Sequence, residues 1–165
     1  MTKFKLHCEI EAGWASLCFS EDRHKDVIFF SHFVDGLEKL ADATLALNNG
    51  KSKVETHLFA DAESFVFDFS LENGSVGIRL FNFHEWTENQ PLENIENRGN
   101  LLFEGECSLE RFTRQIVQLF AGLKRVYGED GYATKWGNTF PKTQLERLKA
   151  ILLRRRIGFL AMILL

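Results

Sequence analysis

ESFVFDFSLENGSVGIRLFNF, residues 63–83, is the stretch that decides the fold. Apolar residues alternate with mostly polar ones on both sides of Asn73-Gly74, a pair that favours the positive φ angles of a tight turn. The pattern predicts a β-hairpin whose apolar face carries Phe65, Phe67, Phe69 and Leu71 on one strand and Val76, Ile78 and Leu80 on the other. Two strands with so much aromatic surface need a helical layer or a second sheet to cover them.

The rest of the chain extends this hairpin into a sheet and adds helices. Alternation predicts further strands at residues 4–10, 14–20, 54–60 and 100–107. Apolar steps of three or four predict helices at residues 31–48, at 108–128 and from 143 onward. The four apolar residues 27–30 fit either a strand end or a helix start. The order ββ-α-ββββ-αα predicts a single α+β domain over residues 1–165, with an antiparallel sheet of about six strands and helices packed on one face.

Short polar motifs predict where the helices begin and end. Ser31 and Ser108 are the expected N-caps of the first two helices. Gly50 and Gly128 are the expected stops after them. Thr143-x-x-Glu146, just after a proline, is a capping-box pattern and predicts the start of the third helix.

The cysteines and the apolar C-terminal stretch indicate the compartment. Cys8, Cys18 and Cys107 have no metal-binding spacing, so free thiols in a reducing cytosol are expected, with a disulfide between Cys8 and Cys18 as the alternative. The N-terminus has no apolar signal-peptide core. The apolar run 157–165 is about half the length that crosses a bilayer, so it is expected to be buried or frayed, with interfacial anchoring beside three arginines as the alternative. A cytoplasmic protein without a membrane partner is expected.

Charge is distributed unevenly along the chain. Residues 54–110 contain twelve acids against two bases, whereas residues 111–165 contain eleven bases against three acids. Folding could bring the two segments together so that they partly neutralise each other. Alternatively, the acids form a surface for a basic protein partner, centred on the loop 84–99. The candidate contact residues in that loop are Glu85, Trp86, Glu88, Glu93 and Glu96, with the tryptophan as aromatic anchor.

The sequence lacks the usual signatures of an enzyme or a nucleic-acid-binding protein. It contains no nucleophile elbow, phosphate-binding loop, dinucleotide fingerprint or zinc-protease motif. The five histidines have no metal-ligand spacing, so neither a metal nor a cofactor is expected. His84-Glu85 beside Trp86 is the best acid–base pair, but neighbouring residues of an extended chain point apart. The acidic surface would repel nucleic acid, and the basic helices lack interleaved aromatic residues. A non-enzymatic protein is expected, with a small enzyme as an alternative.

One aromatic series precedes the third helix. Tyr132, Trp136 and Phe140 recur at every fourth residue. These rings are expected to pack the last helix onto the sheet, with a partner pocket as the alternative.

Several of these residues together resemble a family. Ser31-His32-Phe33-x-Asp35 before a helix that ends near Gly50, and then Gly128…Tyr132-x-x-x-Trp136…Phe140-Pro141…Leu145-x-x-Leu148, is similar to small bacterial immunity proteins of polymorphic toxin and contact-dependent growth inhibition systems. The resemblance implies a cytoplasmic inhibitor that binds one cognate toxin domain, and it supplies no catalytic residues. Such toxins are often basic nucleases, which fits the acidic middle segment. A regulatory or structural interaction module is a further alternative.

Overall fold

A three-stranded antiparallel sheet forms the N-terminal part of the protein in the computed structural model, which describes residues 4–21, 24–61, 63–84 and 99–163. Its strands are β1 (Lys5–Glu11), β2 (Trp14–Glu21) and β3 (His24–Ser31), in the order β1-β2-β3. Ala12 and Gly13, with φ angles of 50° and 79°, make the tight turn between the first two strands. Residues 27–30, which fit either a strand end or a helix start, are therefore part of a strand. Residues 24–26 before them belong to the same strand, although they are too polar for the sequence pattern to predict it.

A four-stranded antiparallel sheet contains the predicted hairpin. Its strands are β4 (Lys53–Phe59), β5 (Glu63–Glu72), β6 (Ser75–His84) and β7 (Asn100–Ser108), in chain order. Phe69 lies opposite Ile78, and Asn73 and Gly74 have the positive φ angles of 49° and 79° that the turn requires. The α+β class with antiparallel strands is confirmed. The described residues form seven strands in two sheets, where one sheet of about six was expected.

Three helices cover the sheets: α1 (Gly36–Asn48), α2 (Leu109–Trp136) and α3 (Lys142–Ile163). α1 packs against β4, α2 packs against β1, and α3 contacts both other helices. Buried side chains of both sheets and all three helices form one core cluster. Tyr132 and Trp136 are fully buried, and the Phe140 ring lies 5.1 Å from that of Tyr132, so these rings belong to the core. The last helix, however, packs chiefly on α1 and α2 and not on the sheet as expected.

The start of α1 differs from the prediction. Asp35, not Ser31, is the N-cap, and its carboxylate accepts a hydrogen bond of 3.1 Å from the backbone N–H of Glu38. Ser31 ends β3 instead, where its hydroxyl donates to the Phe59 carbonyl at 3.1 Å. The prediction failed because Phe33 fits the apolar period of the helix, although its side chain is 78% exposed.

The ends of the other helices are partly as predicted. Ser108 caps α2 and accepts from the Arg111 N–H at 3.2 Å, as expected. Gly128 leaves the helical conformation (φ 68°, ψ 175°), but the helix then resumes up to Trp136. α3 begins at Lys142, one residue earlier than predicted. No capping-box bond joins Thr143 and Glu146, both described, and the Glu146 carboxylate instead meets Lys149 Nζ at 2.9 Å.

The apolar C-terminal run continues α3 rather than forming a separate tail. Helical backbone extends to Ile163. The side chain of Ile157 is 58% exposed, so the expectation that this run is buried is wrong at its first residue. Within the described part of the chain, no helix combines the length and the apolar character needed to cross a bilayer.

Candidate protein-binding surface

Strand β7 forms the outer edge of the four-stranded sheet and presents an acidic, partly apolar surface. Its alternation turns Phe103 and Cys107 into the core and leaves Glu104 and Glu106 exposed. Leu101 and Leu102, near the start of the strand, are 50% and 38% exposed. We call the surface formed by Leu101, Leu102, Glu104, Glu106 and Glu21 the acidic edge.

Glu21 connects the acidic edge to the three-stranded sheet. Its carboxylate accepts a long hydrogen bond of 3.4 Å from the backbone N–H of Glu106. The same carboxylate lies over Gly105, where a Cβ atom would collide with it. The glycine therefore lets the end of β2 approach β7 and brings the Glu21 carboxyl group to the edge of this strand.

A shallow depression of about 440 Å³ lies beside the acidic edge. Gly77 and Ser70 lie in its floor, and Arg79, Glu104 and Glu106 surround them. The Arg79 guanidinium bonds to the Asp68 carboxylate and lies 5.6 Å from the centre of the Phe81 ring. One acid of the middle segment is thus neutralised inside its own sheet, whereas Glu104 has no ion-pair partner among the described residues.

Ion pairs between described residues bear on whether the acidic and basic segments neutralise each other. Arg114 with Glu110 is the one such pair that joins a base of 111–165 to an acid of 54–110. The other paired bases of that segment, Lys124, Lys135, Lys142 and Lys149, meet acids outside residues 54–110. Neutralisation between the two segments is therefore slight within the described part of the chain.

The predicted contact residues Glu85, Trp86, Glu88, Glu93 and Glu96 all lie outside the described residues. The segment that contains them leaves the sheet at His84, which lies opposite Glu63, and rejoins it at Asn100, opposite Asn82. Gly99, with φ 69°, packs so closely against the Asn82 carbonyl that any side chain there would collide. At about 3.4 Å per strand residue, Glu104 is roughly 14 Å from the point where the segment rejoins the sheet.

Sequence reasoning missed a second exposed surface, on the outer face of the three-stranded sheet. Trp14, Val27 and Phe29 are 38%, 45% and 59% exposed, and the register places Phe29 opposite Ser16 and Val27 opposite Cys18 on that face. The continuous run 27–30 gave no sign that alternate members would face solvent. Exposed aromatic and aliphatic side chains on one sheet face are typical of protein-contact surfaces.

Two of the three cysteines, Cys8 and Cys107, are buried in the core. Burial, aided by Glu9, raises the pKa of the Cys8 thiol to about 12. Burial likewise raises the pKa of Cys107 to about 12, against the opposing effect of Arg111. Both thiols therefore stay protonated and unreactive near neutral pH. No described group of three or more His, Cys, Asp or Glu side chains is arranged to hold a metal ion.

The cysteines are free, as expected. Cys8 faces the core, whereas Cys18 lies opposite His7 and Val27 on the outer face of the sheet. The alternative disulfide between Cys8 and Cys18 would have to join side chains on opposite faces of one sheet, which strand geometry excludes.

Comparison with known proteins gave one solved structure and no sequence relative. No family model matches the chain, and no curated protein matches it. The structural match is to a chain of the CdiA-CT/CdiI toxin and immunity complex from Enterobacter cloacae. The two chains share 14% identity and a TM-score of 0.42 over 72% of this chain and 98% of that one, so the resemblance is weak.

Proposed function

We propose that this protein is a cytoplasmic immunity protein that binds and neutralises a basic toxin domain through the acidic edge and the loop 84–99. The observation that carries the proposal is the pair of exposed carboxylates Glu104 and Glu106 beside the exposed Leu101 and Leu102. An apolar centre with charged residues around it is the usual composition of a protein interface. The sequence resemblance to immunity proteins suggests the class of partner.

Electrostatic attraction is the first part of the mechanism. Among the described residues, the acids of 54–110 are little neutralised by the basic helices, so in this proposal the surface attracts a positively charged domain from a distance. Complementary charge mainly raises the association rate and the selectivity for the cognate partner. Because the nucleic-acid substrate of such a toxin is also negatively charged, the acidic surface competes with it for the basic toxin domain.

Apolar contact is the second part and sets the dissociation rate. In this proposal Trp86 is the aromatic anchor, and Leu101 and Leu102 extend the apolar area along β7. Glu85, Glu88, Glu93 and Glu96 are the proposed charged contacts from the same segment of the sequence, and Glu104 and Glu106 add exposed carboxylates along the strand. Buried aromatic anchors inside a polar rim dominate the binding energy of most interfaces.

Binding to the protein encoded by the gene immediately upstream tests the proposal. Calorimetry would compare the wild type with Glu88→Lys/Glu93→Lys and with Glu104→Lys/Glu106→Lys. Asp42→Lys/Asp130→Lys is the matched control, because it changes the net charge equally at exposed positions on α1 and α2. Each test pair should weaken binding about tenfold or more, with unchanged melting temperature, because reversed rim charges slow association.

Three results would contradict the proposal. If the control pair weakens binding as much as the test pairs, the effect is one of net charge and the acidic edge is not the contact. If the upstream protein does not bind at all and is not inhibited, the immunity role is wrong. Binding that survives both test pairs would remove the acidic edge and the loop from the interface.

A further inference from the structure

Helix α3 continues beyond the core against which it packs. Leu148 is fully buried, and Ile151 still packs against the core cluster. Leu153 and Ile157, further along, are 59% and 58% exposed. The backbone nevertheless stays helical to Ile163, about 18 Å beyond Ile151 along the helix axis. The second half of α3 therefore presents apolar side chains to solvent.

The two exposed apolar residues lie together on the outer side of the helix. At about 100° per residue, Leu153 and Ile157 are separated by only about 40° around the helix axis, so they are neighbours on one face. They lie about 140° and 180° around the helix from the buried Leu148. This pair, which we call the outer stripe, therefore faces away from the rest of the protein.

Basic residues border the outer stripe on both sides. Arg154 lies about 60–100° from the stripe residues on one side, and Arg156 lies equally far on the other. Arg147 and Lys149 hold the same two sides two turns earlier. All four are exposed, and among the described residues only Lys149 meets an acid, Glu146, at 2.9 Å. The three arginines are therefore available to an anionic partner.

The sequence of this part of the chain specifies the chemistry of that partner. Residues 147–165 contain five bases and no acid, and residues 157–165 contain no charged or polar side chain. A partner that covers the outer stripe has to offer an apolar layer with negative charge beside it. The surface of an anionic lipid bilayer offers both, because apolar side chains enter the acyl boundary while Lys and Arg reach the phosphates of the headgroups.

The same basic residues disfavour a second copy of the chain as the partner. Leu153 and Ile157 have the spacing of the two apolar positions of a coiled-coil heptad, and Arg154 and Arg156 then occupy the flanking positions that face the other helix. In a pair of identical helices these bases would meet bases. A single acidic helix of another protein would cover one stripe only, whereas residues 157–165 are apolar at every position, a composition that favours lipid.

We propose that the outer stripe and its flanking bases bind α3 to the surface of an anionic phospholipid bilayer, with the helix lying in the interface and not crossing it. Apolar burial and attraction to anionic headgroups add together in helices of this kind. The exposure of Leu153 and Ile157 thus favours the interfacial anchoring that the sequence left as an alternative over the expectation of no membrane partner. The inference does not rest on the proposed function.

Cosedimentation with vesicles tests the proposal with the protein alone. Vesicles of equal parts phosphatidylcholine and phosphatidylglycerol should bind the wild type, and Leu153→Glu/Ile157→Glu should weaken this binding at least tenfold. Phe33→Glu/Val126→Glu is the matched control, because it replaces side chains that are 78% and 66% exposed and adds the same charge. Equal losses for the two double variants, or no binding of the wild type, would overturn the proposal.

The contribution of charge has its own comparison. The whole chain carries a formal charge of −3, so attraction to an anionic surface has to come from a local group of bases. Arg154→Gln/Arg156→Gln should weaken vesicle binding at least tenfold. Lys51→Gln/Arg125→Gln, at exposed positions elsewhere, is the control and should bind as the wild type does. Equal losses for these two pairs, or wild-type binding that is equally tight to vesicles of phosphatidylcholine alone, would overturn the proposal.

Analytical ultracentrifugation without lipid separates a bilayer from a second copy. The wild type and Leu153→Glu/Ile157→Glu should both sediment as monomers. A wild-type dimer that this double variant dissociates would assign the outer stripe to self-association and overturn the proposal. Because no toxin is present in any of these measurements, their failure would leave the proposed immunity function untouched, and failure to bind a toxin would leave vesicle binding untouched.

Discussion

The indole N–H of Trp136 donates a hydrogen bond of 3.0 Å to Asp35 Oδ1, the same carboxylate oxygen that caps α1. One atom therefore joins the start of α1 to the end of α2, about a hundred residues apart. Trp136 is fully buried, so its N–H depends on this acceptor. The bond fixes the position of the end of α2, where the Lys135 carbonyl accepts a hydrogen bond from the Gly13 N–H.

Replacing Asp35 by alanine should destabilise the fold strongly. The change removes the N-cap, worth about 1 kcal/mol, and leaves a buried indole donor unsatisfied, worth about 1–3 kcal/mol more. Urea unfolding followed by tryptophan fluorescence measures the loss. Asp35→Asn keeps an acceptor oxygen and should recover most of the stability. Equal losses for the two variants would show that the carboxylate charge, not the shared acceptor, is what matters.

Gly36 and Gly122 should respond in opposite ways to a single added methyl group. A Cβ at Gly36 would collide with Leu58 and meet Phe30 at 3.3 Å, so Gly36→Ala should cost about 1–3 kcal/mol through overpacking. Gly122 lies in a helix with open space around it, so Gly122→Ala should stabilise by about 0.5–1 kcal/mol. Denaturant midpoints of the two variants compare these effects. A loss of stability in Gly122→Ala would show that the space beside this glycine is not open.

The hydroxyl of Tyr132 is buried without a hydrogen-bond partner in the described part of the chain. Removing an unsatisfied buried polar group costs no bond, so Tyr132→Phe should leave the free energy of unfolding unchanged or raise it by about 1 kcal/mol. Thermal unfolding near neutral pH is the measurement. A clear loss of stability would show that the hydroxyl has a partner, such as a buried water.

Alkaline pH should unfold the protein through its buried thiols. Burial raises the pKa of Cys8 from 9.0 to about 12, so the folded state holds this proton more tightly than the unfolded state. The resulting stability is complete below pH 9 and is lost as the pH rises from 9 to 12. Burial also raises the pKa of Tyr132, which acts in the same direction.

A comparison of two cysteine variants isolates the contribution of Cys8. The free energy of unfolding of Cys8→Ala should fall less steeply between about pH 9 and pH 11 than that of the wild type. Cys18→Ala, on the outer face of the sheet, is the control and should keep the wild-type slope. An unchanged slope in Cys8→Ala would assign the alkaline loss to other groups.

Local patterns predicted the parts of the fold that depend on local chemistry. The turn at Asn73 and Gly74 and the cap at Ser108 are as expected, because each depends on residues within a few positions. The N-cap of α1 was misplaced because Phe33 fits the apolar period of the helix, although its side chain is exposed. The division into two sheets was missed because strand period does not specify which strands are neighbours.

The candidate binding surfaces show the same limit. The acid count of residues 54–110 pointed to a charged surface, and Glu104 and Glu106 are part of one. The approach of Glu21 to the strand that carries them comes from a contact between sheets that no local pattern predicts.

Strand β1 is synthesised long before the residues that complete its edge. Arg111 and Gln115 bond to Phe4 and Leu6, and the Lys135 carbonyl accepts from the Gly13 N–H after the strand, so each partner lies more than a hundred residues downstream. At about 5–20 residues per second of translation, the edge stays uncovered for roughly 5–25 seconds. During that interval an unpaired strand can associate with other nascent chains. Overproduction with rapid translation should therefore yield more insoluble protein than slow synthesis of the same chain.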